Sequence, residues 1–444
     1  MGTDALWALF AREVAQRIRD GRVSCTEVMR ACLARCMARE PDVQAWEHLD
    51  AERAMERAEA ADAQSKRGIA PGPLHGVPLA VKDIIDVAGM PTRMGSSIMA
   101  GNIARMSAEC VAHLEAAGAI VIGKTVTTEF AYYTPGKTRN PWSAAHTPGG
   151  SSSGSAAAVA CGMVPGALGT QTNGSVVRPA AFCGIVGYKP TFGTVSNGGT
   201  LDPWPTLDHT GVLARNVADA ALIASAMVHP GFEIDTACAA GRPPRLVVLR
   251  SPVWDFAEPP QRESLTECSD KLGAGGASMA QEELSPAFDE AHAAIRIIMA
   301  YEAGAHFRKL REGRGGDMSA QLLALIDEGW STGEAKYRAA LALQQRLRDE
   351  FARYVAPYDA VITPPAPGEA PATREQTGNP TFCSIWSLLG VPAITIPVGR
   401  GPAGLPLGLQ LVGPYRGDAS LLRTAAWCES QFGFRGIVDT EERQ

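Results

Sequence analysis

Along the first 60 residues the apolar positions recur every three or four places, at Leu6, Leu9, Phe10, Val14 and Ile18, which lines them along one face of a helix. This spacing predicts a helical N-terminal arm, residues 1–60, wrapped around a larger core. Beyond it the apolar runs become continuous. Residues 77–81 and 119–122 have the length and content of buried strands, with a helical stretch at 110–117 between them. An alanine-rich segment at 155–161 predicts another helix, and strand-like and helix-like segments then alternate. Such alternation favours an α/β fold in which a mixed central β-sheet is covered by helices on both faces.

Residues 230–356 are less regular. A strand is predicted at 245–249, a glycine turn at 273–276, and long helices at 291–311 and 335–354. This variable region is expected to form the substrate entrance. Short strands at 360–363, 393–397 and 408–412 and a helix from Asp418 close the chain. No repeat, low-complexity tract or linker interrupts the 444 residues, so a single domain over 1–444 is expected.

Composition narrows the function classes. With 45% hydrophobic and 20% charged residues the chain reads as an ordinary globular protein. A net charge of −6 argues against a nucleic-acid partner, because phosphate binding needs clustered cations. The densest basic cluster, Arg308, Lys309, Arg311 and Arg314, reads as a solvated helix end. Ten cysteines without a CxxC pair suggest reduced thiols of an intracellular protein, and Cys32 and Cys36, one helical turn apart, suggest packing. The segment MGTDALWALFAREVAQ lacks the basic and apolar regions of a signal peptide, and no apolar run approaches the ~18 residues of a membrane span. A cytoplasmic location with no membrane partner is expected.

Two glycine-rich loops carry the chemistry. They read PGGSSSGSAAAVACG from Pro148 and GTQTNGSVVRPAAFCG from Gly169, and Lys82 follows the apolar run in GVPLAVKDIIDVAGMPT. Glycine lets the backbone approach a ligand closely, so a serine flanked by glycines is exposed together with neighbouring N–H groups. Those of Thr172, Asn173, Gly174 and Ser175 suit an oxyanion, which must meet donors already in place. Two serines and a lysine supply a nucleophile, a relay and a base without any histidine.

These loops, with GAIVIGKTVTTEFAYYTPGKTRNPW, GYKPTFG, LLGVPAITIPVG and GLPLGLQLVGP in the same order, resemble the amidase signature family. The resemblance implies the amidase signature fold and hydrolysis of amides, sometimes esters or carbamates, by a Ser-Ser-Lys triad. It makes Lys82 the catalytic lysine, Ser151 the bridging serine and Ser175 the nucleophile, with a cis peptide between Gly150 and Ser151. Two departures stand out. Gln171-Thr172-Asn173-Gly174-Ser175 replaces the usual Asp-Thr-Gly-Gly-Ser, and Asn173 is expected to preserve the loop by tolerating left-handed backbone. Arg178 lies three residues after the nucleophile, where tRNA-dependent amidotransferase A subunits have an arginine two after; with Trp386 it resembles a malonamidase-like branch of small-amide hydrolases. The expected function is therefore a serine hydrolase of small amides, carbamates (urethanes) or esters acting through an acyl-enzyme. The alternative is an amidotransferase A-type subunit supplying ammonia within a complex. Arg178, Gly150 and Trp386 are the expected substrate contacts, the partner is a small-molecule substrate with a homodimer allowed, and no cofactor or metal is expected.

Two other motifs compete. Residues 118–125 match the phosphate-loop pattern GxxxxGK[ST], but Ala-Ile-Val-Ile there reads as a strand with its helix on the wrong side. Residues 150–154 match GxSxG with Ser152 central, yet no buried strand precedes them, and the available partners Asp208 and His209 are adjacent. The eight histidines show no metal-ligand spacing.

Overall fold

The structure, a computed structural model, describes residues 5–68, 72–229, 231, 232, 234, 236, 238, 241–434, 437 and 438. Its strands are β1 (Trp46–Leu49), β2 (Pro78–Lys82), β3 (Ile120–Thr125), β4 (Gly166–Gln171), β5 (Val186–Lys189), β6 (His209–Ala214), β7 (Arg245–Arg250), β8 (Ser278–Glu283), β9 (Ala360–Thr363), β10 (Ala393–Arg400) and β11 (Pro406–Val412). They form one 11-stranded sheet in the order β1-β3-β2-β4-β6-β5-β10-β11-β9-β7-β8. Pairing is parallel for β3–β2–β4 and for β9–β7–β8, and antiparallel elsewhere. The expected mixed α/β sheet flanked by helices is what forms.

Parallel neighbours need a crossover, and here it is helical: Glu109–Ala116 precedes β3 and Ser153–Ala160 precedes β4. Strands β2 to β6 are buried throughout, which is why their sequences read as continuous rather than alternating apolar runs. The strand expected at 77–81 is Pro78–Lys82. That shift of one residue carries the lysine itself into the core.

The arm contains helices Ala11–Arg19, Cys25–Val43 and Ala51–Lys66, with β1 between the last two. The four-residue β1 is too short to show a period. Buried Asp219 ties the arm down by accepting the N–H groups of Ala11 at 2.7 Å and Arg12 at 3.0 Å. In the variable region the expected long helix at 291–311 breaks at Phe307 into Ala291–His306 and Arg308–Arg314, and the turn expected at 273–276 begins only after helix Pro259–Ala274. Strand β8 was not legible because it is an exposed edge rich in polar residues. Cys32 and Cys36 are core residues. Among the described residues no helix is long and apolar enough to cross a membrane.

Gly154, in the first turn of Ser153–Ala160, shows how tightly that helix is seated. A Cβ there would lie 2.3 Å from Ala45 O and 2.5 Å from Val126 N, backbone atoms that cannot rotate away. Gly154→Ala is therefore expected to destabilise the fold by about 1–3 kcal/mol, the range for overpacking. Urea denaturation of the two proteins measures it, and an unchanged midpoint would mean that the helix shifts freely.

Candidate active site

Lys82 ends β2, flanked in register by Thr125 of β3. Its ammonium group is fully buried, 2.6 Å from Ser151 Oγ and 2.7 Å from Thr170 Oγ1 of β4. Burial brings its pKa down to about 7 because the charged form loses water, while the Asp208 carboxylate opposes the shift. A lysine that loses its proton near neutrality is a usable base, and the hydroxyl of Ser151 lies within proton-transfer distance of it.

The two serine loops meet above this lysine. The peptide between Gly150 and Ser151 is cis. Ser151 and Thr172 to Ser175 line one cavity of about 20 Å3, with Tyr132, Tyr133, Trp204 and Met299. Ser151 Oγ bonds to Lys82; Ser175, only 9% exposed, shares the cavity without a hydrogen bond to Ser151 Oγ among the described residues. Catalytic hydrogen bonds commonly tighten only when substrate is bound. The tyrosine wall leaves an unusual backbone, with Phe130 at φ 45° and Ala131 at φ 61°, held by the Phe130 N–H on Met94 O at 2.8 Å and by the Phe130 ring on Phe307. Such conformations cost roughly 1–3 kcal/mol each and persist where the surroundings enforce them.

Several expectations change. Asn173 is not among the positive-φ residues; its side chain accepts from Ser384 Oγ at 2.5 Å and reaches Tyr133 OH at 3.4 Å, so side-chain contacts and not left-handed backbone explain it. Arg178 lies at the cavity edge, yet it is 2% exposed and its guanidinium donates to Gly378 O at 2.5 Å, Gly150 O at 2.6 Å and Thr377 Oγ1 at 3.2 Å. Its N–H groups hold the two loops together. Gly150 enters through that carbonyl and does not line the cavity. Trp386 is buried against Phe351, with ring centroids 5.4 Å apart, and does not reach the cavity. Thr170 was missed because its motif gives no hint that β4 aims it at Lys82.

The competing motifs lose their chemistry. Residues Ile120–Thr125 are a strand, and buried Lys124 is spent on Pro91 O, Thr92 Oγ1 and an ion pair with Asp83 at 3.2 Å. Ser152 Oγ is engaged with the Thr170 backbone at 3.2 and 3.3 Å. His209 is held near Gln171 O, and burial keeps its pKa well below the usual histidine range. Among the described residues no cluster of three or more His, Cys, Asp or Glu could hold a metal.

The amidase family profile matches residues 27–422. The chain belongs to the amidase signature family. It is an enzyme of that family acting on carbon–nitrogen bonds. The A subunit of the glutamyl-tRNA(Gln) amidotransferase of Rhodopirellula baltica is 34% identical, covering 93% of this chain and 94% of its own. A solved structure described as a vestigial protein complex, revealing the evolutionary origins of an s-triazine catabolic enzyme, superposes with a TM-score of 0.90 at 30% identity, covering 97% of this chain and 100% of its own. The peptide amidase of Stenotrophomonas maltophilia gives 0.85 at 28%, covering 96% and 98%.

These relatives overturn the expectation of a self-contained hydrolase of small amides, carbamates or esters. Five amidotransferase A subunits are 30–35% identical over 91–95% of the chain. The malonamidase-like assignment is not established either. It rested on Arg178, whose terminal guanidinium nitrogens bind protein oxygens while its buried Nε has no partner among the described residues, and on Trp386, whose ring is packed inside the protein.

Two outcomes follow from this geometry. Because only neutral Lys82 can accept a proton, kcat/KM is expected to fall about tenfold per pH unit below its pKa of about 7 and to level off above it. A profile flat to pH 5 would exclude a lysine base. Arg178→Met is expected to lower stability by about 1.5–3 kcal/mol, the scale of a charge-assisted hydrogen bond, and to slow turnover of a dicarboxylic monoamide and of its neutral analogue equally. A loss confined to the acid substrate would place the guanidinium on substrate.

Proposed function

We propose that this chain is an amidotransferase A-type subunit, which releases ammonia from a glutamine-like carboxamide for use by partner subunits. The similarity to A subunits along nearly the whole length of both proteins carries this reading. The buried base and the small cavity support it: a primary carboxamide is compact, and its leaving group is ammonia.

In this reading neutral Lys82 takes the proton of Ser151, Ser151 takes that of Ser175, and Ser175 Oγ attacks the carboxamide carbon. The N–H groups of residues 172–175 receive the developing oxyanion. The proton returns through Ser151 to the departing nitrogen, which leaves as ammonia, and water then cleaves the acyl-enzyme to free the acid. The region 230–356, within a single domain 1–444, forms the entrance, consistent with Met299 on the cavity wall. With a net charge of −6, the chain leaves RNA binding to its partners.

The test is ammonia release and amide transfer with glutamine, for the chain alone and reconstituted with companion amidotransferase subunits. Glutamine-dependent transfer is expected, reduced at least ~10³-fold by Ser175→Ala and strongly by Lys82→Met. Full turnover of simple amides by the isolated chain, with no transfer in any reconstitution, would reject the reading.

A further inference from the structure

Gln171, the last residue of β4, is fully buried. Its side-chain oxygen accepts the N–H groups of Val176 at 2.9 Å and Val177 at 3.0 Å, which fixes the orientation of the amide. The amide nitrogen must then donate, and it does so to Ser387 Oγ at 3.0 Å. Ser387, 1% exposed in the helix Thr381–Leu389, donates its own hydroxyl proton to the carbonyl of Asn173 at 2.7 Å. Each donor and acceptor in this series has one consistent role.

The consequence comes from peptide geometry. In a planar trans peptide the C=O of one residue and the N–H of the next point in opposite directions. Drawing the Asn173 carbonyl toward Ser387 therefore turns the Gly174 N–H away from that helix, toward the cavity that Gly174 and Ser175 line. Among the described residues the N–H groups of Asn173, Gly174 and Ser175 have no hydrogen-bond acceptor. Gly174 is also pressed onto the same helix, where a Cβ would lie 2.9 Å from Pro380 Cβ and 3.2 Å from Cys383 Cβ.

We propose that Gln171 and Ser387 are positioning residues that aim the Gly174 N–H at the oxyanion formed on Ser175 attack. This rests on Ser175 being the nucleophile. Neither side chain touches substrate; both act through the peptide between Asn173 and Gly174. Without the Ser387 hydroxyl nothing holds that carbonyl, and the donor is free to turn away.

The experiment is labelling by a fluorophosphonate, whose attack by serine also develops an oxyanion, followed by mass spectrometry with kinact and KI separated. Wild type is expected to be labelled at Ser175, and Ser387→Ala to lower kinact about 10- to 100-fold, below the ~10²–10³ typical of a deleted oxyanion donor, with KI changed less than about threefold. Ser387→Thr, which keeps the hydroxyl, restores the rate. Gln171→Glu keeps an acceptor for Val176 and Val177; its carboxyl, buried without a cation, is expected to have a raised pKa and to lower Tm. Where it is ionised, at the alkaline end of the pH profile, it removes the donor to Ser387 and is expected to lower kinact like Ser387→Ala. Labelling of wild type and both loss variants at one rate overturns the relay and leaves the nucleophile standing. Absence of labelling at Ser175 in wild type overturns both.

Discussion

A lysine side chain buried at the end of a fully covered strand is the constraint on which the rest of the structure turns. An ammonium group without water is held only by what surrounds it, and here the near neighbours are two hydroxyls, not a carboxylate in contact. Desolvation then wins over the distant attraction of Asp208 and pulls the proton affinity of Lys82 toward neutrality. Placing it there requires β3 and β4 on either side of β2 in parallel register; the helical crossover into β4 carries the Ser151 loop, and the Ser175 loop leaves the end of β4 itself.

The loops around the lysine are held by polar side chains used internally. Arg178 joins the Gly150 carbonyl to Gly378, Gln171 joins the start of the helix Val177–Cys183 to Ser387, and Thr172 donates to buried Asp208. Burial raises the Asp208 carboxyl well above the usual carboxylate range, with Asp202 beside it adding to the effect. These groups have lost water, so each must be matched inside the protein or cost free energy. The matching leaves the backbone donors of residues 173–175 without internal partners, which is the condition an oxyanion site needs.

Much of the architecture was readable from residue order. Continuous apolar runs marked β2, β3, β7 and β9 because strands covered on both faces have no polar side to alternate with. Strand β8 escaped because an edge strand carries solvent-facing polar residues, and β1 because four residues are too few to show a period. In the site, Ser151 and Ser175 stood out through their glycine-rich surroundings and Lys82 through its place at the end of an apolar run. Ser387 sits in a segment with no such mark, and Thr170, inside the second glycine loop, carries no sign that its hydroxyl turns toward Lys82. Arg178 and Trp386 misled: an arginine near a nucleophile suggests anion binding, but its partners are carbonyls from segments about 30 and 200 residues away in sequence, a distance that only folding closes.

By itself the sequence determined the fold class, the order of the candidate catalytic motifs and the family, because hydrophobic period and glycine placement are local properties written along the chain. Tertiary structure alone decided which polar groups face the cavity and which are consumed in holding it together. Hydrogen-bond partners are chosen by proximity in space. An arginine, a glutamine or an asparagine therefore has no assigned work until the carbonyls and hydroxyls of remote segments have closed around it.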